Sequence, residues 1–162
     1  METILLTITI LMAIPTAYFL ASGLYFSAFA IAAKFYKEKK THLVNQRTNV
    51  QVFIPAYRED NVIVQTAFDA QNHKSVLADI KVTVIADSLK PETIERLKVL
   101  NIGFTMVNFE NSTKSKAIRA ALAQTGAKAD WALVLDADNI MKPGFVDELI
   151  KKTAQGFKVV QG

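Results

Sequence analysis

The segment Trp131–Asn139 reads WALVLDADN: an apolar run that ends on two aspartates, Asp136 and Asp138, separated by one alanine. In an extended segment the two carboxylates share a side; across a tight turn they reach one ion, or opposite ends of one ligand. Hard cations such as Mg²⁺ take a few carboxylates and complete their shell with phosphate oxygens and water. An Asp-x-Asp pair at the tip of a strand can therefore hold such an ion against a diphosphate and offset the charge that develops as it leaves. Aspartates also favour turns and helix starts for local hydrogen bonding, and the bare pattern does not separate the two uses.

Three other apolar runs end in the same manner. VQVFI (50–54) is followed by PAYRED (55–60), KVTVIA (81–86) by Asp87 and Ser88, and FTMV (104–107) by NFENSTKSK (108–116). Tyr57 offers an aromatic face on which a base can stack. Glu59 and Asp87, as acceptor-only carboxylates, suit ring N–H groups or ribose hydroxyls. Lys114, at a helix start, suits a phosphate, because the N–H groups of a helix N-terminus point the same way. Each residue also has a plain structural use: Tyr57 at a core edge, Glu59 and Asp87 as helix caps, Lys114 as a solvated lysine. Their joint placement at four successive strand ends favours a polar, phosphate-bearing ligand.

Other chemistries that use similar residues are excluded. An apolar strand ending in Asp also occurs in P-loop ATPases, but no G-x-x-x-x-G-K-[ST] is present. A phosphatase of the Asp-x-Asp-x-Thr type needs a hydroxyl at position 140, which is Ile140. The six glycines never form G-x-G-x-x-G, so a dinucleotide fingerprint is absent. With no cysteine there is no thiol nucleophile, no disulfide framework and no cysteine zinc site.

The elements that must carry these residues alternate. Strands are expected at Val50–Ile54, stopped by Pro55, then at Lys81–Ala86, Phe104–Val107 and Trp131–Leu135, with a fifth beginning at Phe157–Val160. Helices are expected at Asn61–Ala70, Pro91–Leu100, from a cap at Asn111 or Ser112 to a stop at Gly126, and at Pro143–Ala154. The Pro91 helix opens on proline followed by Glu92, a favourable first turn. A βαβαβαβαβ order specifies an α/β fold with a parallel sheet, in which ligands bind outside the carboxyl ends of the strands.

Ahead of this unit, Ile4–Ala33 contains thirty consecutive residues without a charge. A bilayer core needs only about 20 apolar helical residues, so the run is read as one transmembrane helix, with Pro15 marking a kink or the boundary of an interfacial start. A cleaved signal peptide would show a positive n-region, a shorter apolar run and a cleavage site. Lys34, Lys37, Lys39 and Lys40 follow the span against a single Glu38, which by the positive-inside rule puts the C-terminal part in the cytoplasm. This cluster accounts for most of the net charge of +4, so the basic balance gives no argument for nucleic acid. The organisation expected is a membrane helix with its basic flank over 1–40, a linker over 41–49 and a ligand-binding domain over 50–162.

VFIPAYRED resembles the first-strand motif of family 2 glycosyltransferases, VIADSLKPET their second-strand motif, STKSKAIRAAL their Gly-Lys-x-x-Ala-Leu-Asn helix start, and LVLDADNIMKPGFVDEL their Asp-x-Asp strand with the helix after it. The likeness runs from about Val50 to Gly162. It implies the Rossmann-like nucleotide-diphospho-sugar half of a GT-A fold. It further implies that Pro55, Ala56, Tyr57 and Glu59 line the nucleoside pocket, that Asp87 contacts the base, that Lys114 lies near the diphosphate, that Asp136 lies near the sugar or ribose, and that Asp138 binds Mg²⁺ or Mn²⁺. Arg58, Arg119 and Ser112–Thr113 depart from the commonest motif residues. The activity implied is inverting, metal-dependent transfer of a sugar from a nucleotide-diphosphate donor to a glycan or lipid-linked acceptor. The motifs of the family's acceptor half, including its base, are expected beyond Gly162, so no catalytic base is assigned and an incomplete enzyme is expected. The alternatives are an inactive membrane-anchored nucleotide-sugar-binding fragment and a nucleotidyltransferase. The latter opens on a Gly-rich loop, and none follows the first strand.

Overall fold

The computed structural model describes residues 1–37, 46–125 and 129–162, the side chain of Leu5 excepted. The chain divides into two compact units, Met1–Lys40 and Thr41–Gly162. In the first, helix α1 runs from Glu2 to Phe35 with Pro15 inside it. At 1.5 Å per residue this is about 51 Å of helix, long and apolar enough to cross a membrane. Thr16 Oγ1 donates to the carbonyl of Met12 at 2.7 Å, absorbing a hydroxyl within the helix itself. Lys39 and Lys40 of the basic flank, most of the expected linker and the expected helix stop at Gly126 lie outside the described residues.

The second unit is a four-stranded parallel sheet in the order β3-β2-β1-β4, with β1 at Thr48–Tyr57, β2 at Ala78–Asp87, β3 at Gly103–Val107 and β4 at Trp131–Val134. The helices between and after them are α2 (Ile63–Gln71), α3 (Pro91–Val99), α4 (Lys114–Thr125) and α5 (Phe145–Ala154). Given this order, the placement of the helices follows from chirality. Right-handed crossovers that move outward from β1 to β2 to β3 put α2 and α3 on one face, and the reversed step from β3 back to β4 puts α4 on the other. The core divides accordingly. Val52, Ile54 and Val84 pack with Ile63, Leu97 and Val146 of α2, α3 and α5, while Phe53 and Ile85 pack with Ala117 and Ala121 of α4. The central strands are buried on both faces, which explains why they read as near-continuous apolar runs.

Besides shifts of one or two residues at element ends, such as α2 starting at Ile63 and α5 at Phe145, three expectations differ from the fold observed. β1 does not stop at Pro55 but continues to Tyr57, in register with β2 up to Tyr57↔Asp87. The carbonyl of Phe53 accepts from Leu135 N–H on the β4 side, and Pro55, two residues on, faces that same side after the β1–β4 ladder has ended at Phe53↔Val134. Its missing N–H therefore costs no ladder bond. β2 also begins earlier, at Ala78, where the Asp147 carboxylate of α5 accepts from Leu77 N–H at 3.1 Å and from the Ser75 hydroxyl. Finally, Phe157–Val160 is not a strand. It runs past the outer side of β4 as an irregular segment, and a cavity lined by Leu133, Ile150 and Val159 lies there.

Candidate functional site

The chain moves outward from β1 to β2 and β3, then returns to β4 on the opposite side of β1. This reversal is the switch point at which an open α/β sheet leaves a crevice at its carboxyl end. A cavity of about 370 Å³ opens there, within the size range of small-molecule sites. Pro55, Ala56, Tyr57 and Glu59 from the β1 tip, Asp87 from the β2 tip, Lys114 from the start of α4, and Asp136 and Asp138 after β4 all line it. The eight residues singled out in the sequence thus surround one space. Ser112 and Thr113, which precede Lys114, line it as well.

At the first two tips, register does the positioning. Tyr57 and Asp87 are ladder partners, and the residues after them, Arg58 and Ser88, both have left-handed backbones with φ of 56° and 55°. Two adjacent strands therefore turn off the sheet together, in a conformation that costs a non-glycine residue energy and concentrates at functional sites. The bond from Arg58 N–H to the Asp87 carbonyl, 3.1 Å, ties the two turns. Tyr57 is half exposed, and the Arg58 guanidinium lies 5.1 Å from its ring centroid, a cation–π distance. Asp87 is 2% exposed. One of its carboxylate oxygens accepts from the Ser88 hydroxyl at 3.0 Å and the other from the Ser112 hydroxyl.

The DADN segment is a tight turn, not an extended segment: Asn139 N–H donates back to the Asp136 carbonyl at 3.1 Å. Ala137 is buried between the exposed aspartates. Its carbonyl accepts from the buried hydroxyl of Thr66 on α2 at 2.6 Å, which pins the turn to the core. Lys114 reaches across to Asp136 as an ion pair, each side chain about half exposed. Helix α4 begins one or two residues later than expected. Thr113, rather than Asn111 or Ser112, caps it, its hydroxyl accepting from Lys116 N–H at 3.3 Å and its carbonyl from Ala117 N–H. Ser112 is thereby left to serve Asp87.

Thr66, Ser88 and Ser112 are the residues that sequence reasoning missed. Thr66 carried a usable signal, a hydroxyl on the apolar stripe of a helix; the two serines carried none beyond their neighbourhood. Asp147 of α5, which does not line the cavity, has a structural use. Burial alone pushes the Asp147 carboxyl upward, but the Ser75 hydroxyl, the N–H groups of Leu77 and Val76 and nearby Lys151 outweigh it and hold it below the ordinary value. Asp60, beside the site, is likewise held low by the Thr93 hydroxyl at 2.6 Å and the Lys90 N–H at 2.8 Å, and so anchors the start of α3.

The charge balance of the cavity is one-sided. Glu59, Asp87, Asp136 and Asp138 face Lys114, the one cationic side chain among the described residues that line it. No group of three or more His, Cys, Asp or Glu side chains is gathered for a metal ion among the described residues. The donors present are carboxylate oxygens, which suit a hard cation whose remaining ligands come from elsewhere.

Solved structures share this architecture. A mannosyltransferase from Pyrobaculum calidifontis, in complex with GDP-Man and Mn²⁺, superposes with a TM-score of 0.60 at 20% identity over 89% of this chain and 42% of its own. Glucosyl-3-phosphoglycerate synthase from Mycobacterium tuberculosis, in complex with uridine diphosphate, gives 0.54 at 18% identity over 74% of this chain and 46% of its own. A complex of the same synthase with Mg²⁺ and uridine diphosphate gives 0.51 at 21% identity over 66% of this chain and 40% of its own. At these identities the likeness is one of fold, and the chain spans less than half the length of the structures it matches. No curated protein matches it in sequence. The family model described as glycosyl transferase family 2 matches residues 51–162, which is most of the chain and all of its sheet beyond the first three residues of β1, and the chain therefore belongs to glycosyl transferase family 2.

Proposed function

We propose that this chain is the donor-binding part of a membrane-anchored glycosyltransferase that moves a sugar from a nucleotide diphosphate to a glycan or lipid-linked acceptor. The observation that carries the reading is the cavity at the switch point, where an exposed aromatic face, a buried carboxylate, a helix N-terminus with its lysine and two carboxylates on a tight turn line one space, a set that suits the parts of a sugar nucleotide. Tyr57 stacks on the base, with its guanidinium-covered face supporting the ring. Asp87, fixed by two serine hydroxyls, has its remaining lone pairs for the N–H groups of the base, and Pro55, Ala56 and Glu59 complete the nucleoside wall. Lys114 and the free N–H groups at the start of α4 meet the diphosphate. Asp136 lies toward the sugar or ribose.

A cavity with four carboxylates and one ammonium repels an anionic ligand. Nucleotide-diphosphate binding here thus depends on a divalent cation, Mg²⁺ or Mn²⁺, held by Asp138. When bound, the cation supplies charge neutralisation for the departing diphosphate. We assign no general base for the acceptor hydroxyl in this chain. Helix α1 serves as the anchor, with the cavity-bearing unit on the cytoplasmic side of the membrane.

Titration calorimetry of the full chain in nanodiscs with UDP and GDP tests the reading. Binding of one of them is expected in the presence of Mn²⁺, with at least a tenfold loss when the cation is chelated. Equal affinity with and without Mn²⁺, or no binding of either nucleotide, overturns it. Donor hydrolysis and sugar transfer measured on the same preparation separate a transferase from a protein that only binds the donor.

A further inference from the structure

The Lys114–Asp136 ion pair joins the two elements that a diphosphate and a cation would each need to engage. We propose that Lys114 is a resident counter-ion for the carboxylate turn, exchanged during binding, so that the divalent cation and the nucleotide bind cooperatively. This rests on the reading above, that the cavity takes a nucleotide diphosphate with its cation.

The argument starts from competition. Asp136 accepts a hydrogen bond from the Lys114 ammonium, and Thr66 holds the turn that carries Asp136 and Asp138, so a cation approaching the turn meets a carboxylate already paired. A cation arriving alone must weaken that pair and tolerate a nearby ammonium. A nucleotide arriving alone meets the surplus of carboxylates while its best cationic contact is engaged with Asp136. When both arrive, Lys114 turns from Asp136 to the phosphate oxygens, the cation at Asp138 offsets the charge left on the neighbouring Asp136, and neither cost remains. Coupling of this kind is reciprocal by linkage. The pair is about half exposed, so its free energy is modest and the exchange is reversible. Lys116, two residues on, gives an internal comparison: its ammonium donates to the Asn111 carbonyl at 2.9 Å, not to a cavity carboxylate.

The experiment measures Mn²⁺ affinity by titration on the full chain, with and without UDP or GDP, for the wild type and for Lys114→Met, Lys114→Arg and Lys116→Met. Lys114→Met is expected to bind Mn²⁺ alone about three- to tenfold more tightly, from release of the pair and loss of a like charge. Lys116→Met is expected to stay within about twofold of wild type, since a surface charge that pairs elsewhere contributes little, whereas Lys114→Arg, which keeps a positive charge beside Asp136, is expected to gain less than Lys114→Met. The enhancement of Mn²⁺ affinity by nucleotide is expected to shrink in Lys114→Met. Unchanged or weaker binding of Mn²⁺ alone by Lys114→Met overturns the proposal, as does an equal gain in Lys116→Met. If wild type binds Mn²⁺ with nucleotide but Lys114→Met behaves identically, only this inference fails. If Mn²⁺ binds but no nucleotide does, the donor-binding reading fails and the cooperativity with it, and the Mn²⁺-only comparison then bears only on Lys114 as a counter-ion of the turn. Absence of Mn²⁺ binding in every variant overturns both. Tryptophan fluorescence from Trp131 in β4, the chain's single tryptophan, verifies that each variant is folded.

Discussion

Thr66→Val replaces a hydroxyl by a methyl of nearly the same shape, at a side chain that is 6% exposed and whose hydroxyl holds the DADN turn. The bond it loses is short and buried, 2.6 Å to the Ala137 carbonyl. Leaving a buried acceptor unpaired costs about 1–3 kcal/mol, and the extra apolar methyl recovers up to about 0.8 kcal/mol. A net loss of about 1–2 kcal/mol is therefore expected. With a urea slope of about 1–3 kcal/mol/M for a unit of this size, the midpoint falls by roughly 0.3–2 M, read by Trp131 fluorescence. The functional effect is separable from the structural one. Without its anchor the turn samples arrangements in which Asp136 and Asp138 no longer face the cavity together, and Mn²⁺-dependent nucleotide binding weakens about three- to tenfold, as expected when a populated competent state becomes a minority one. Thr66→Ser is the decisive companion. It keeps the hydroxyl and loses a buried methyl, so its stability falls by a similar amount while its nucleotide affinity remains that of wild type. If Thr66→Val binds Mn²⁺ and nucleotide as tightly as Thr66→Ser, the idea that α2 positions the acidic turn is wrong.

Asp138→Ala is expected to abolish Mn²⁺-dependent nucleotide binding while leaving the stability within about 0.5 kcal/mol of wild type, because its side chain is exposed; calorimetry and fluorescence together check this. Ser112→Ala is expected to lower nucleotide affinity about three- to tenfold with Mn²⁺ affinity unchanged, since it removes one of the two hydroxyls that orient the buried Asp87 and leaves the acidic turn untouched. Asp147 and Asp60 have folded-state pKa values below their ordinary 3.8. The stability they contribute is thus fully present above about pH 5 and is lost as the pH falls through 3.8 and below; Asp147→Asn should flatten the decline of the urea midpoint between pH 5 and pH 3, and an unaltered slope would refute the assignment. The basic flank after α1 is expected to face the cytoplasm, so the 50–162 unit should resist added protease in right-side-out vesicles and be cut in inverted ones.

The strands and the cavity were legible in the sequence because parallel topology writes both in one dimension. A strand covered on two faces must be apolar throughout, and a ligand site at the carboxyl ends must place its polar residues immediately after each such run. Tyr57, Asp87, Lys114 and Asp136 meet those two conditions, so four apolar runs and the polar residues at their ends were enough to locate one shared space. What the sequence did not disclose depends on pairing. Pro55 looked like a stop because a proline normally breaks a ladder, and only the early end of β4 makes the missing N–H harmless. Phe157–Val160 has the composition of a strand, yet composition supplies only the propensity; with no ladder formed along it, the segment stays irregular beside β4. Ser112 was read as a helix cap because serine serves in that role, but Thr113 lies one residue nearer the helix and takes the bond, which frees Ser112 to reach a carboxylate 25 positions away. The same logic explains why the hydroxyls were missed and the charges were not. A carboxylate at a strand tip has few uses and announces itself, whereas a serine or threonine becomes part of a site only through the atom it touches. The acidic turn and the buried Asp87 are each held by hydroxyls: Thr66 ties one end of the cavity to α2, and Ser112 ties the other to β2. Lys114 lies on the same three-residue segment as Ser112 and pairs with Asp136, so this one segment touches both ends of the cavity.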